Sequence, residues 1–171
     1  MVTIATHTGG CLCGAVRYAI HGPMRDVVVC HCTQCRRQGS TVTVGVARED
    51  FVLVCGAKQV REFESSPVAR RTFCGACGSA LFWTPVQESF IAIFAGTLDQ
   101  PTGLRTAAHI FSGEKPDYET IADELPCYAG AMSGGSPTAE TRDRLDCAIP
   151  RARRSSPTEP PLGQVRVRSE D

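Results

Sequence analysis

Cys30-His31-Cys32-Thr33-Gln34-Cys35 packs three thiols into six residues, and two further knuckles flank it along the chain. They are Cys11-Leu12-Cys13 upstream and Cys74-Gly75-Ala76-Cys77 downstream. Seven of the ten cysteines fall in these three places, so they do not read as scattered core residues. A Cys-x-x-Cys turn bends the backbone so that its N–H groups face the sulfurs and both thiolates point at one ion. Zinc accepts such soft anionic ligands tetrahedrally, at about 2.3 Å from each sulfur. Cys11, Cys13, Cys74 and Cys77 then make a complete four-thiolate set, the pattern of a structural clamp joining two distant parts of a small domain. Cys30, Cys32 and Cys35 are left as three ligands without an obvious fourth. Three protein ligands and an open position is the catalytic pattern.

Spacing alone leaves two readings of the second cluster. In one, it is an open zinc site where an entering thiol becomes a thiolate, beside any electrophile held there; an unperturbed thiol, with a pKa of about 8.5, stays mostly protonated at neutral pH. In the other it is a second structural site, completed by His31, Cys55 or another side chain. Val27-Val28-Val29 is a β-branched run that delivers the chain into Cys30. Residues two apart on a strand share a face, so Cys30 and Cys32 converge on one ion while His31 points away.

The 171 residues suit one domain with an appendage, and 42% hydrophobic content allows a modest core. Eighteen basic residues balance eighteen acidic ones, a balance that favours neither a nucleic-acid nor a membrane partner. The segment Met1–Thr6 shows no basic stretch leading into a long apolar run, and no stretch approaches the ~20 apolar residues of a membrane span. With Cys-x-Cys pairs that are poorly shaped to bridge each other, this points to metal rather than disulfides, and to a cytoplasmic protein.

Short alternating runs dominate the rest. Residues 14–21 put Val16, Tyr18 and Ile20 on one side and read as a half-buried strand; Thr41–Val46 reads as another. Thr33–Gly39 suits one helical turn that brings Cys35 back. Phe51–Val54 and Val60–Phe63 read as a pair around Gly56. Val68–Phe73 leads into the Cys74 knuckle and Gly78–Trp83 leads out. Phe90–Gly96 is nearly continuous in apolar residues and reads as the central, doubly covered strand. Ala108–Phe111 reads as a last strand, and Tyr118–Ala122 as a helical turn. The expected fold is all-β or β-dominated, a small zinc-stapled sheet domain over 1–130. Residues 131–171 are rich in Ser, Pro, Gly and Arg, with few large apolar side chains, and read as a disordered tail.

Other residues are weaker signals. Arg36 and Arg37, with Arg70 and Arg71, are candidates to attract an anionic substrate, against the plainer reading of solvated arginines. His109 could be a proton shuttle or a ligand, although a histidine in an apolar strand is more often a hydrogen-bonded core residue. Cys55, Cys127 and Cys147 carry no pattern and read as ordinary thiols.

Gly10-Cys11-Leu12-Cys13-Gly14, Cys30-His31-Cys32-Thr33-Gln34-Cys35-Arg36 and Phe73-Cys74-Gly75-Ala76-Cys77-Gly78-Ser79 together resemble the glutathione-dependent formaldehyde-activating (GFA) family, also described as CENP-V/GFA domains. Ala95-Gly96-Thr97-Leu98-Asp99, His109-Ile110-Phe111 and the stretch ending Asp123-Glu124-Leu125-Pro126 are similar too, and the likeness covers about residues 9–130. Tyr118 stands where the family's tryptophan is expected. The resemblance implies a tent-like β fold with two zinc ions, a structural site at Cys11, Cys13, Cys74 and Cys77 and a catalytic site at Cys30, Cys32 and Cys35. It also implies a carbon–sulfur lyase activity, the condensation of formaldehyde with glutathione to S-hydroxymethylglutathione. The sequence therefore reads first as an enzyme joining a glutathione-like thiol to a small aldehyde. A zinc-stabilised binding module comes second, and a redox sensor using Cys32 and Cys35 third.

Overall fold

The computed structural model describes residues 6–87 and 89–132. Among these residues ten short strands form two sheets. The strands are β1 (His7–Gly10), β2 (Arg17–Ile20), β3 (Val27–Cys30), β4 (Val42–Ala47), β5 (Phe51–Cys55), β6 (Val60–Ser66), β7 (Ala69–Cys74), β8 (Ala80–Pro85), β9 (Phe90–Phe94) and β10 (Thr106–Ile110). A short α-helix, α1 (Thr33–Arg37), lies between β3 and β4. The small sheet runs β1-β2-β5 and the large one β10-β3-β4-β9-β8-β7-β6. The fold is β-dominated, as the density of short alternating runs implies.

The core lies between the sheets. β2 contributes Val16 (just before it), Tyr18 and Ile20, all buried, against Val44, Val46, Phe82, Ile91 and Ile93 of the large sheet. Tyr18 sets its ring edge-on to Phe82 at 5.2 Å between centroids, and Phe51 meets Phe82 at 4.8 Å. The Tyr18 hydroxyl would be costly to bury alone; it pairs with Thr97 Oγ1 at 2.8 Å. β9 is the fourth of seven strands, so the apolar run beginning at Phe90 does occupy the centre of its sheet.

Three expectations are corrected. Phe51–Val54 and Val60–Phe63 do not pair: β5 joins β2 in the small sheet, and β6 joins β7 at the edge of the large one. Gly56 makes that parting possible. It adopts φ +85°, and a Cβ there would lie 2.0 Å from the Ala15 carbonyl oxygen, so the chain turns tightly under the β1–β2 connection before a 3-10 turn at Ala57–Gln59. Tyr118–Ala122 forms no helical turn. A turn at Asp117 and Tyr118, closed by the Glu119 N–H on the Pro116 carbonyl, instead sends Glu119 inward while Tyr118 stays exposed. β1, which pairs with β2 through Thr8 and Gly9, carries no alternating apolar pattern and was not anticipated. The tail expected over 131–171 lies outside the described residues from 133 onward.

The close approach at Gly56 makes a measurable difference between two glycines. Gly103 has φ +69° with open space around its Cβ position, so Gly103→Ala should cost about 1 kcal/mol. Gly56→Ala meets the same conformational penalty plus a backbone collision and should cost about 2–5 kcal/mol in denaturant unfolding. Equal losses would mean that the Ala15 carbonyl yields freely.

Candidate functional site

The β1–β2 connection and the β7–β8 turn bring four sulfurs together. Cys11 closes β1 and is tied in twice, its N–H donating to the Val16 carbonyl at 3.0 Å and its Sγ accepting from the Val16 N–H at 3.2 Å. Opposite it, Cys74 ends β7, and the Gly78 N–H reaches back to the Cys74 carbonyl at 2.8 Å. Ser79 bridges the two turns. Its hydroxyl accepts from the Leu12 N–H at 3.0 Å and lies 3.2 Å from Cys77 Sγ. Cys11 and Cys13 sulfurs are 3.5 Å apart, those of Cys13 and Cys74 3.9 Å, and all four lie within 4.8 Å of one another. Sulfurs about 2.3 Å from a central ion stand ~3.8 Å apart along each edge of a tetrahedron, so this donor set fits a zinc-sized cation.

The second cluster sits where β3 passes into α1. Cys32 is the residue before the helix, and its Sγ accepts from the Cys35 N–H at 3.4 Å, doing for this short helix what a serine side chain does at longer ones. Gly39, with φ +73°, ends the turn. The Cys30 N–H donates to the Thr41 carbonyl at 2.7 Å, which pins the cluster to the start of β4. Cys30, Cys32 and Cys35 hold their sulfurs within 4.8 Å of one another, and no fourth histidine, cysteine or carboxylate among the described residues joins them.

Crowded thiols cannot all ionise together unless a cation sits between them, and the shifts within each cluster show that competition. The hydrogen bond from Cys30, followed by Arg71, pulls the Cys35 thiol down to about 5 against the opposing effect of burial. Cys30 moves the other way, pushed up by the same hydrogen bond and by burial. In the first cluster the Ser79 hydroxyl and N–H bring Cys77 down to about 5. Cys13 rises to about 12: Cys11 and Cys77 overcome the lowering by the Ala15 N–H. Both clusters could hold a metal ion, and their all-sulfur chemistry suits a soft or borderline one.

Comparison with known proteins agrees with this geometry. The family model described as glutathione-dependent formaldehyde-activating enzyme matches residues 6–114. The chain belongs to the GFA family. A Halomonas elongata protein named for the same family is 27% identical over 139 residues, covering 71% of this chain and 86% of the relative. A Rhodobacter sphaeroides protein of known crystal structure superposes with a TM-score of 0.50 at 22% identity, covering 56% of this chain and 91% of that one. At that identity the likeness concerns the fold alone.

For a GFA-family member the surroundings of the three-cysteine cluster are informative. His31 points away from the thiols. Its Nε2 lies 2.8 Å from His109 Nδ1, its Nδ1 3.0 Å from Glu119 Oε1, and His109 Nε2 lies 3.1 Å from both carboxylate oxygens of Asp123. All four ring nitrogens are engaged, so neither histidine has one left for a metal. Hydrogen bonding to His109 holds the Asp123 carboxyl below its usual range. Cys55, the other candidate for a fourth ligand, is exposed at the end of β5 in the small sheet.

The arginines separate. Arg37 is exposed, and Arg36 is half-buried with its Nη2 3.4 Å from Thr33 Oγ1 and its buried Nε unpartnered. Arg70 is exposed and 3.7 Å from Glu62. Arg71 is buried, with its guanidinium on Gln34, Gln38 and Cys35. The histidine pair, its two carboxylates and the Arg71 contact escaped the sequence reading. Only topology reveals them, because β10 lies parallel to β3 and sets His109 opposite Val29, two residues before His31. His109→Leu would leave His31 Nε2 buried without a partner and should cost about 1–3 kcal/mol in denaturant unfolding. Asp123→Asn, at the half-exposed end of the chain of contacts, should leave the midpoint nearly unchanged; the reverse ranking would contradict the role given to the buried contact.

Proposed function

We propose that this chain is a zinc-dependent carbon–sulfur lyase-type enzyme that adds a glutathione-type thiol to a small aldehyde, formaldehyde being the simplest. The supporting observation is the difference between its two clusters. Four sulfurs close one site, whereas Cys30, Cys32 and Cys35 converge without a fourth protein ligand among the described residues. Cys11, Cys13, Cys74 and Cys77 hold a structural zinc that ties the small sheet to the large one. Cys30, Cys32 and Cys35 hold the second zinc. Bound there, zinc would lower the pKa of a substrate thiol and polarise a carbonyl oxygen.

The reaction needs no redox partner. The thiol gives up its proton, its sulfur forms a bond to the aldehyde carbon, the C=O π bond opens, and the oxygen takes up a proton to give the hydroxymethyl thioether. The chain's own part is to hold and orient. The short α1 turn and the Thr41 carbonyl fix the cysteine backbone, while the histidine pair braces β3 from its other side. Arg36 and Arg37, on the last turn of α1, are placed to draw the carboxylates of a peptide-like thiol. His109 serves as a brace. Residues 1–130 form the working domain and 131–171 an appendage. A reducing cytoplasm suits such thiolate chemistry, and no helix among the described residues is long and apolar enough to cross a membrane.

The test is magnetisation exchange between labelled formaldehyde hydrate and its glutathione adduct, read by NMR with and without protein. Wild type should accelerate exchange at catalytic concentration, and Cys35→Ser should lose at least 100-fold of that acceleration, roughly the scale seen when an activating group is removed, while keeping its strand content. A chain ending at residue 130 should retain the activity. No acceleration by correctly folded, zinc-loaded wild type, with glutathione or with small thiols, would overturn the assignment.

A further inference from the structure

Arg71 is a buried cation without a carboxylate. It is 4% exposed on β7, between Phe63 and Trp83 on the neighbouring strands. Isolated charges are not left in a protein interior; they are paired or neutralised. Even Arg17 and Arg70, far more exposed, have carboxylate partners, Asp99 and Glu62. For Arg71 no carboxylate partner occurs among the described residues. Its Nη1 donates to Gln38 Oε1 at 2.6 Å, and its Nη2 to Gln34 Oε1 at 3.2 Å and to Cys35 Sγ at 3.6 Å. The two glutamines are neutral. Gln34 lies in α1 and Gln38 caps its end; four residues apart, they share a face and grip the guanidinium without cancelling its charge. The one ionisable acceptor it touches is the sulfur.

We propose that Arg71 is the positioning and charge-compensating residue of the three-cysteine centre, its guanidinium held by Gln34 and Gln38 against the Cys35 thiolate. Three thiolates around a divalent cation leave one negative charge, and a single guanidinium cancels it. With an incoming thiolate the centre and its guanidinium together carry one negative charge, where without Arg71 they would carry two. This is a different role from collecting substrate at the surface, for which Arg71 is too deeply buried. The inference rests on the reading that Cys30, Cys32 and Cys35 hold a metal, and it adds the residue that keeps the loaded centre electrically neutral.

The experiment is a competition titration of zinc against a chromophoric chelator, on the full chain, with the four-cysteine site as internal reference. Partners that orient or hydrogen-bond metal ligands are worth about 10–100-fold in affinity. Arg71→Met should therefore weaken the second zinc by at least tenfold and leave the first unchanged. Arg71→Lys, which keeps the charge and loses the fork, should recover part of the loss. Cobalt bound in place of zinc supplies an optical check: without the N–H donor, the thiolate-to-metal charge-transfer band of the second site should move to longer wavelength. Gln38→Glu, on a half-exposed turn, gives the guanidinium a carboxylate and should weaken the second zinc in the same direction. It decides the matter should Arg71→Met not fold. Second-site affinity within twofold of wild type in a folded Arg71→Met, or in Gln38→Glu, would overturn the proposal. A wild type that binds only one zinc would remove the reading beneath it as well.

Discussion

Sulfurs gathered from different sheets at about the edge length of a metal tetrahedron are the constraint on which this molecule depends. Cys11 and Cys13 come from the connection inside the small sheet, Cys74 and Cys77 from a turn of the large one, and they meet within 4.8 Å. The apolar core between the sheets is modest, built around Tyr18, Phe51 and Phe82. A metal ion held by these four sulfurs would add folding free energy that a core of this size supplies sparingly. It would also join the β1–β2 connection of the small sheet to the β7–β8 turn of the large one.

With the sheets held, the second cluster gains a rigid seat. β3 sits between β10 and β4, so its C-terminal end is hydrogen-bonded on both sides, and the three thiols project from a backbone with little freedom to spread. The two flanks of that seat carry different chemistry. On one, the histidine pair is capped at each end by a carboxylate and consumes every ring nitrogen. On the other, a buried guanidinium faces sulfur. On the proposed function, a metal held by the three thiols between these flanks would accept a further sulfur ligand without rebuilding its surroundings, as thiol addition to an aldehyde requires.

The sequence disclosed these features unequally, for physical reasons. The grouping of the seven cysteines was legible because ligand spacing is local: each knuckle is a property of three to six consecutive residues. The strands through Val27–Cys30, Val42–Ala47 and Phe90–Phe94 were legible because β-branched and apolar runs announce themselves. β1 was not, since His7-Thr8-Gly9-Gly10 has no apolar alternation and becomes a strand through its pairing with β2. The separation of β5 from β6 was equally hidden, because a glycine between two apolar runs signals a hairpin unless its left-handed conformation under Ala15 is known. Arg71 and Gln38 stand 33 residues apart in sequence, and no local pattern marks them as partners.

Zinc content per chain, measured by plasma emission on protein purified without chelator, bears most directly on the claim of two distinct centres. The account predicts two ions in wild type and one in Cys35→Ser, with the circular dichroism of both proteins the same. One ion in each would reduce the molecule to a single structural clamp and remove the basis for a metal-activated thiol. Loss of the fold together with the second ion would contradict it differently, by making Cys30, Cys32 and Cys35 a structural site.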